Sequence, residues 1–116
     1  MDKRSVEKYM PLADDAIKAV LGGKDLEKTY RSKLSAFGAA VIMSGLLPAV
    51  AYYEKNEEKI IRLLEYMYQN DPDRKEKSEG NLFGIIKDVD DKKEDTLKED
   101  IIHYSISLKL VMNLYI

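Results

Sequence analysis

Six basic residues are spaced as if each group lay on one side of a helix. They form two triplets with the same intervals of four and three residues: Lys24, Lys28 and Arg31, then Lys55, Lys59 and Arg62. Residues at these intervals share one face of an α-helix. If the two helices pack side by side, their cationic faces would follow a phosphate backbone and hold it without reading bases. The spacing therefore predicts a candidate nucleic-acid contact made by these six side chains.

The same charges have a second interpretation, as the hydrated surface of ordinary helices. Glu27 precedes Arg31 by four residues, and Glu58 precedes Arg62 by the same interval. Oppositely charged pairs at this interval stabilise a helix modestly and keep its surface solvated. Taken alone, the spacing favours this interpretation over phosphate contact.

Catalytic chemistry has few candidate residues. His103 is the single histidine, and the chain contains no cysteine. There is no Gly-x-Ser-x-Gly nucleophile turn, no glycine-rich phosphate loop of the Walker type and no His-Glu-x-x-His metal motif. A catalytic base needs other groups to orient it, so we predict a structural or surface role for His103. We expect no enzymatic activity and no cofactor.

The acidic segment 88–95, DVDDKKED, has the composition of a calcium-binding loop but not its spacing. Lys92 and Lys93 occupy the fifth and sixth positions, where a hand-type loop needs an oxygen ligand and a glycine. We therefore predict a solvated linker with a helix N-terminal cap, and no metal site.

Length and composition limit what can position the basic residues. The 116 residues form one predicted domain, 1–116, long enough to bury a core without disulfides, which the lack of cysteine rules out. With 19 basic and 21 acidic residues the net charge is -2, so any nucleic-acid contact must be local and not a matter of bulk charge. No basic segment followed by an apolar run opens the chain, and we expect a cytoplasmic protein.

The stretch 30–53 is the predicted spine of the core. Its first helix has apolar residues at helical intervals: Leu26, Tyr30, Leu34, Phe37 and Val41. Segment 38–43 has no polar face, so we expect neighbouring elements to cover it on every side. Ser44 is the predicted N-cap of a second helix with Pro48 in its first turn, which makes Ser44-Gly45 a corner between two helices. The run is too short and interrupted to cross a bilayer.

The remaining apolar periodicity predicts three or four more helices. The predicted segments are 6–21, a helix capped by Asn56 and ending at Asn70, 82–89, and a last helix from Leu97 to Tyr115. Pro11 either kinks the first helix or forces it to begin at Met10, and Gly22 and Gly23 end it. The charged run from Asp71 to Asn81 is the one long loop. No alternating segment competes, so the predicted fold is all-α, a compact bundle of about five or six helices.

Eight tyrosines make stacking on nucleobases a further possibility. Five of them lie on or beside apolar faces and are predicted to be in the core or at its edge: Tyr30, Tyr66, Tyr68, Tyr104 and Tyr115. Tyr52 and Tyr53, at the end of the spine, are the exceptions to test. The helix after the Gly45 corner is almost wholly apolar, which disfavours a helix-turn-helix that reads base edges.

In the stretch 30–53, the chain resembles a known family, the small subunit of type III-B CRISPR (Cmr) effector complexes. In that family a Tyr followed by a basic residue and often Ser opens one helix, and a Gly-Leu pair begins the next. Here Tyr30, Arg31 and Ser32 match the first group, and Gly45 and Leu46 match the second. The family usually has basic residues and a proline between these groups, with an Asn before the Gly-Leu pair. This chain differs there by having Ser35, Ala36, Gly38 and Ser44.

The resemblance implies a non-catalytic subunit of an RNA-guided antiviral complex. Members of the family stack as several copies beside the subunits that hold the guide RNA, and their basic faces line the path of the target RNA. The partners that the resemblance implies are other Cmr subunits, copies of the chain in a filament, and guide and target RNA. It implies no contact with a membrane. Arg31 is the one basic position that the family pattern carries over. Two alternatives stay open: a helical protein-interaction adaptor that binds no RNA, and a small DNA-binding regulator, which would form a tight symmetric dimer on duplex DNA.

Overall fold

The computed structural model describes residues 3–23, 26–75 and 77–115, and within these ranges the chain is helical with no strand. The helices are α1 (Lys3–Leu21), α2 (Thr29–Ser44), α3 (Leu46–Asn56), α4 (Glu58–Asn70), α5 (Leu82–Asp88) and α6 (Asp91–Met112). The radius of gyration is 13.0 Å, close to the value of about 13 Å typical of a compact domain of this size. The predicted all-α bundle is confirmed.

Helix α1 runs through Pro11 without ending, so the alternative in which the helix begins at Met10 is wrong. Pro11 lacks the N–H that would bond to the Glu7 carbonyl, and both residues are exposed, so water can satisfy that carbonyl. Gly22 and Gly23 end the helix with φ angles of 79° and 69°, a left-handed conformation that favours glycine. The predicted glycine stop is confirmed.

The corner between α2 and α3 lies at Gly45, whose φ of 97° is disfavoured for residues with a Cβ. The prediction that Ser44 caps α3 is wrong, because Ser44 is still the last residue of α2 and Gly45 takes the N-cap position without a side-chain bond. Pro48 is the third residue of α3, within its first turn as predicted.

A second corner, at Glu57, separates α3 from α4. Glu57 leaves the helical conformation with φ of -143° and ψ of 61° and takes the N-cap position of α4. Asn56, predicted to be that cap, is the last residue of α3, and its Nδ2 donates to the Tyr52 carbonyl oxygen over 2.9 Å. That prediction is wrong because Asn56 bonds back into the preceding turn.

The core forms where α6 packs against α1 and α2, and α4 packs against α1 and, less extensively, against α6. Its largest buried side chains come from several helices: Phe37, Leu34, Leu46, Ile60, Leu64, Ile101 and Tyr104. Tyr9 and Tyr104 meet edge to face with ring centroids 5.0 Å apart, and the buried Ser107 hydroxyl donates to the Val6 carbonyl over 2.8 Å. The aromatic and aliphatic faces predicted from periodicity are thus the buried ones.

The predicted loop after α4 is tied to the bundle by buried polar groups. Asp71 is 1% exposed and accepts a 2.7 Å hydrogen bond from the Tyr104 hydroxyl and one of 2.9 Å from the Asp73 N–H. Arg74 pairs with Asp100 of α6. The short helix α5 begins with Asn81 as its N-cap, and Asp90 is the N-cap of α6, in agreement with the predicted cap. The predicted linker 88–95 is otherwise wrong, because α5 extends to Asp88 and α6 begins at Asp91, before the predicted start at Leu97.

Segment 38–43 is not covered on every side, contrary to the prediction. Ile42 is 70% exposed and Met43 is 84% exposed. Helix α2 has neighbours on the sides that carry Leu34, Phe37 and Val41, and its opposite side faces solvent. Among the described residues, no helix is both long enough and apolar enough to cross a membrane.

Candidate nucleic-acid interface

Four helix termini meet at one end of the bundle: the ends of α1 and α3 and the starts of α2 and α4. Lys33, in the second turn of α2, places its Nζ 2.9 Å from Glu57 Oε2 at the α3–α4 corner. The Tyr53 hydroxyl lies 3.5 Å from the Lys33 carbonyl oxygen, which again joins α3 to α2. Val20, near the end of α1, lines a surface groove together with Lys59 of α4. The start of α2, the end of α3 and the start of α4 are therefore neighbours.

Four of the predicted cations lie at this end, which we call the basic end: Lys28, Arg31, Lys55 and Lys59. Lys28 is the N-cap residue of α2 and Arg31 lies in its first turn, while Lys55 and Lys59 flank the Glu57 corner. All four side chains are exposed, and within the described ranges none forms an ion pair or a side-chain hydrogen bond. Lys24 lies outside the described residues.

Arg62, the sixth predicted cation, is already neutralised. Its guanidinium pairs with Glu54 of α3 and, over 3.0 Å, with Glu65 one turn further along α4. The predicted partner, Glu58, is not the one that Arg62 uses. Glu27 likewise does not pair with Arg31 and instead accepts a hydrogen bond from the Thr29 hydroxyl over 3.2 Å. Neither predicted four-residue pair forms, because Glu27 lies before the start of α2 at Thr29 and Arg62 is held by Glu54 and Glu65.

The prediction that the second triplet occupies one helix face is also wrong, because Glu57 breaks the helix between Lys55 and Lys59. The first triplet includes Lys24, which lies outside the described residues, and Lys28 takes the N-cap position before α2. Arg31 and Ile42 are eleven residues apart, so they lie within about 20° of each other around α2. Ile42 lines a groove with α6 residues, which places Arg31 on the α6 side of the helix. The cations thus surround one end of the bundle and do not form a single strip.

A shallow groove of about 390 Å³ lies between α2 and α3 at the basic end. Its walls are two matched helical faces: Thr29, Ser32, Lys33 and Ala36 from α2, and Tyr52, Tyr53, Asn56 and Glu57 from α3. Tyr52 is 62% exposed, whereas Tyr53 is buried against Phe37 with ring centroids 5.1 Å apart. Of the two tyrosines proposed for testing, only Tyr52 can reach a ligand.

The electrostatics of this end depend on side chains and not on helix dipoles. Two helices begin here and two end here, so the partial charges of their termini largely offset each other. The hydrogen bond to Glu57 raises the pKa of Lys33, which keeps that ammonium charged but compensated. The uncompensated positive charge comes from the four cations of the basic end.

Outside the basic end, His103 is the residue that a catalytic interpretation would use. His103 is 6% exposed and lies on α6 beside Ile102, in agreement with the predicted structural role. The described residues contain no group of three or more histidine or carboxylate side chains that could hold a metal ion.

Sequence reasoning missed Lys33 as a member of this end. Its partner Glu57 is 24 residues away in the chain, so no local spacing indicates the pair. The sequence places Lys33 directly before the buried Leu34 of α2 but does not indicate its ion pair.

Comparison with known proteins identifies a family for the chain. The family model described as CRISPR-associated protein (Cas_Cmr5) matches residues 7–112. No curated protein and no solved structure matches the chain. The match covers all six helices from the second turn of α1 to the end of α6. The chain therefore belongs to the Cmr5 family, the small subunits of type III-B CRISPR complexes.

Proposed function

We propose that the chain is a non-catalytic subunit that holds the backbone of target RNA, or of the guide–target duplex, at its basic end. It does so within a cytoplasmic type III-B effector complex that serves antiviral defence. The observation that carries the proposal is the set of four exposed cations without a partner in the described ranges, Lys28, Arg31, Lys55 and Lys59. With Lys24 and Arg62 they are the predicted RNA-binding residues.

The lack of compensating carboxylates matters for the free energy of binding. A cation that already has an ion pair must give it up, or share it, before it can contact a phosphate. An uncompensated cation neutralises a phosphate directly and releases condensed counterions, which favours binding at low salt. Arg62 is held by Glu54 and Glu65, so we expect it to contribute less than the other four.

A second surface supports the proposal that neighbouring subunits hold the chain in place. Ile42 of α2 lines a groove with Ile102 and Ile106 of α6. The exposed Met43 follows it in the chain, about 100° further around the helix. We call this the α2–α6 patch. Adjacent exposed aliphatic side chains are typical of protein interfaces. We propose that another copy of the chain or a different Cmr subunit covers the patch in the assembled filament.

The same patch favours the second candidate function, a helical adaptor that binds neighbours but no RNA. The two functions differ in whether RNA contacts this chain. In an adaptor, the basic end would be a hydrated surface, and removal of its charges would not change RNA binding.

Purification of the chain from its own host, with any RNA that accompanies it, tests the proposal. We expect an intact complex that contains guide RNAs with repeat-derived ends, and cross-links from RNA to the basic end after irradiation. An intact complex whose RNA never cross-links to this chain would support the adaptor. An intact complex without guide RNA would overturn the assignment to an RNA-guided machine.

A further inference from the structure

We infer that Tyr52 stacks on an unpaired RNA base, and that the groove between α2 and α3 is a nucleotide-binding site. The inference rests on the proposed function, because it adds a base contact to an RNA whose phosphates lie at the basic end. Contact with the backbone alone does not require this groove.

The ring of Tyr52 is placed for such a contact. It is 62% exposed at the end of a helix whose other aromatic residue, Tyr53, is buried. The two rings meet at 61° with centroids 5.6 Å apart, an edge contact and not a face-to-face stack. Asn56 Nδ2 bonds to the Tyr52 carbonyl and ties this last turn of α3 together. A rigidly held aromatic ring with two side-chain torsions loses little conformational entropy on binding.

The wall opposite Tyr52 consists of small and polar residues. Ser32 and Ala36 of α2 line it, and Thr29 lies at its start. The small side chains leave space above the tyrosine ring, and the hydroxyl and amide groups of Ser32 and Asn56 can exchange hydrogen bonds with the edge of a base. Neither wall contains a long aliphatic side chain.

Cations lie beside both walls of the groove. Lys55 follows Tyr52 by three residues on α3, which places their Cβ atoms about 5–6 Å apart on one face. Lys28 directly precedes Thr29 on the other wall. Aromatic rings beside cationic side chains are the usual means by which proteins bind single-stranded nucleic acid.

The lining of the groove favours a nucleotide over a protein occupant. Ile42 lies on the α6 side of α2. Met43, eleven residues after Ser32, lies on the groove side of the helix but is not among the residues that line the groove. A protein partner would gain most from the α2–α6 patch, while the groove offers one exposed aromatic ring among polar groups and the Lys33–Glu57 ion pair. The composition of the groove therefore favours a nucleotide.

The test compares two probes of equal charge on the full-length chain: a ten-nucleotide oligouridine and the corresponding abasic ribose-phosphate strand. We expect Tyr52→Ala to weaken oligouridine binding by about 5- to 150-fold, the range for losing one stacked base. Binding of the abasic strand and the dependence of log K on log salt should not change. Tyr52→Phe should retain binding, because stacking needs the ring and not the hydroxyl.

Leu114→Ala is the matched control, because it removes a side chain that is 80% exposed and lies after α6. Thermal unfolding of each variant confirms that it folds. If Tyr52→Ala binds both strands like the unchanged chain while loss of Lys28 and Lys55 weakens both, stacking is overturned and backbone contact stands. If the unchanged chain binds neither strand, both the inference and the proposed function fail. If Tyr52→Ala alters only the recovery of neighbouring subunits, the groove binds protein and the inference is wrong.

Discussion

Lys33 Nζ and Glu57 Oε2 lie 2.9 Å apart and join the second turn of α2 to the corner between α3 and α4. Each side chain is about one-third exposed, 32% and 31%, so the pair contributes at most about 1 kcal/mol to folding stability. The pair matters because it joins the helices that carry the cations and because it compensates the charge of Lys33. It brings Arg31 and Lys55 to the same end of the bundle and leaves Lys33 as the compensated cation among uncompensated ones.

Glu57→Gln should strengthen RNA binding. The substitution releases Lys33 from its ion pair and adds one effective positive charge at the basic end. We expect affinity for single-stranded RNA to rise about two- to fivefold at low salt, the worth of one exposed ion pair. The slope of log K against log salt should steepen by up to about 0.7. Titration of labelled RNA at several salt concentrations measures both quantities.

Glu7→Gln is the charge-matched control for that variant. Glu7 is exposed near the start of α1, where Lys8 pairs with Asp73 of the loop that follows α4, away from the Glu57 corner. We expect its effect on RNA binding to be much smaller. Equal effects of the two variants would mean that only net charge matters and that the basic end has no special position.

Tyr104→Phe should destabilise the protein by about 1.5–3 kcal/mol, because it removes a hydrogen bond to a carboxylate that remains buried. Asp71 is 1% exposed and would keep only the bond from the Asp73 N–H among those described. Urea unfolding measures the change. Tyr66→Phe serves as the control, because the half-buried Tyr66 hydroxyl has no partner within the described ranges. Equal stability of the two variants would show that the Asp71 bond does not hold the loop.

Glu65 should make stability depend on pH in the acidic range. Burial raises the pKa of Glu65 above its usual value of 4.5, and the bond from the Leu82 N–H and the charge of Arg62 offset this only in part. The folded state therefore binds the proton more readily than the unfolded state. The stabilisation is fully present below about pH 4.5 and is lost as pH rises through the raised pKa.

Glu65→Gln removes that titration and keeps a side-chain oxygen that can accept the Leu82 N–H. In the unchanged protein the Leu82 nitrogen lies 2.8 Å from Glu65 Oε1. We expect the unchanged protein to lose stability relative to this variant as pH rises from 4.5 toward neutrality. Chemical unfolding at a series of pH values gives the difference. A difference that stays constant, or that changes in the opposite direction, would contradict the effect of burial on Glu65.

Ile42→Gln with Met43→Gln should impair assembly and leave folding nearly unchanged. Both side chains are mostly exposed in the chain on its own, so the unfolding free energy should change by no more than about 0.5 kcal/mol. Recovery of neighbouring Cmr subunits or of additional copies should fall. Leu114→Gln, which removes a similarly exposed side chain elsewhere, is the control. Full recovery of the complex with the double variant would show that the α2–α6 patch is not an interface.

Local patterns predicted most of the fold. The intervals between Leu34, Phe37 and Val41 indicated the buried face of α2, and glycines marked the end of α1 and the α2–α3 corner. These features depend on backbone preferences and on helix periodicity, both of which are readable over a few residues. The corner between α3 and α4 was predicted one residue early, with Asn56 as the cap, because Glu57 is not a residue type that favours the N-cap position.

The candidate site was less predictable because it depends on contacts between distant segments. Whether Arg62 is available is decided by Glu54, on another helix, and Lys33 is compensated by a residue 24 positions away. The exposure of Ile42 depends on which sides of α2 have neighbours. Spacing alone could identify the basic residues but not which of them keep a free charge.

The most direct test of the account removes the charge of the basic end. The variant replaces Lys28, Arg31, Lys55 and Lys59 with Gln, and the control replaces four exposed lysines elsewhere, Lys75, Lys77, Lys87 and Lys92, in the same way. RNA affinity of the full-length chain is measured across a range of salt concentrations. We predict that the first variant binds RNA more weakly and has a log–log salt slope shallower by up to about 3, or about 0.7 for each lost phosphate contact, while the control retains most of the slope. Equal slopes and affinities for the two variants would contradict RNA contact at the basic end.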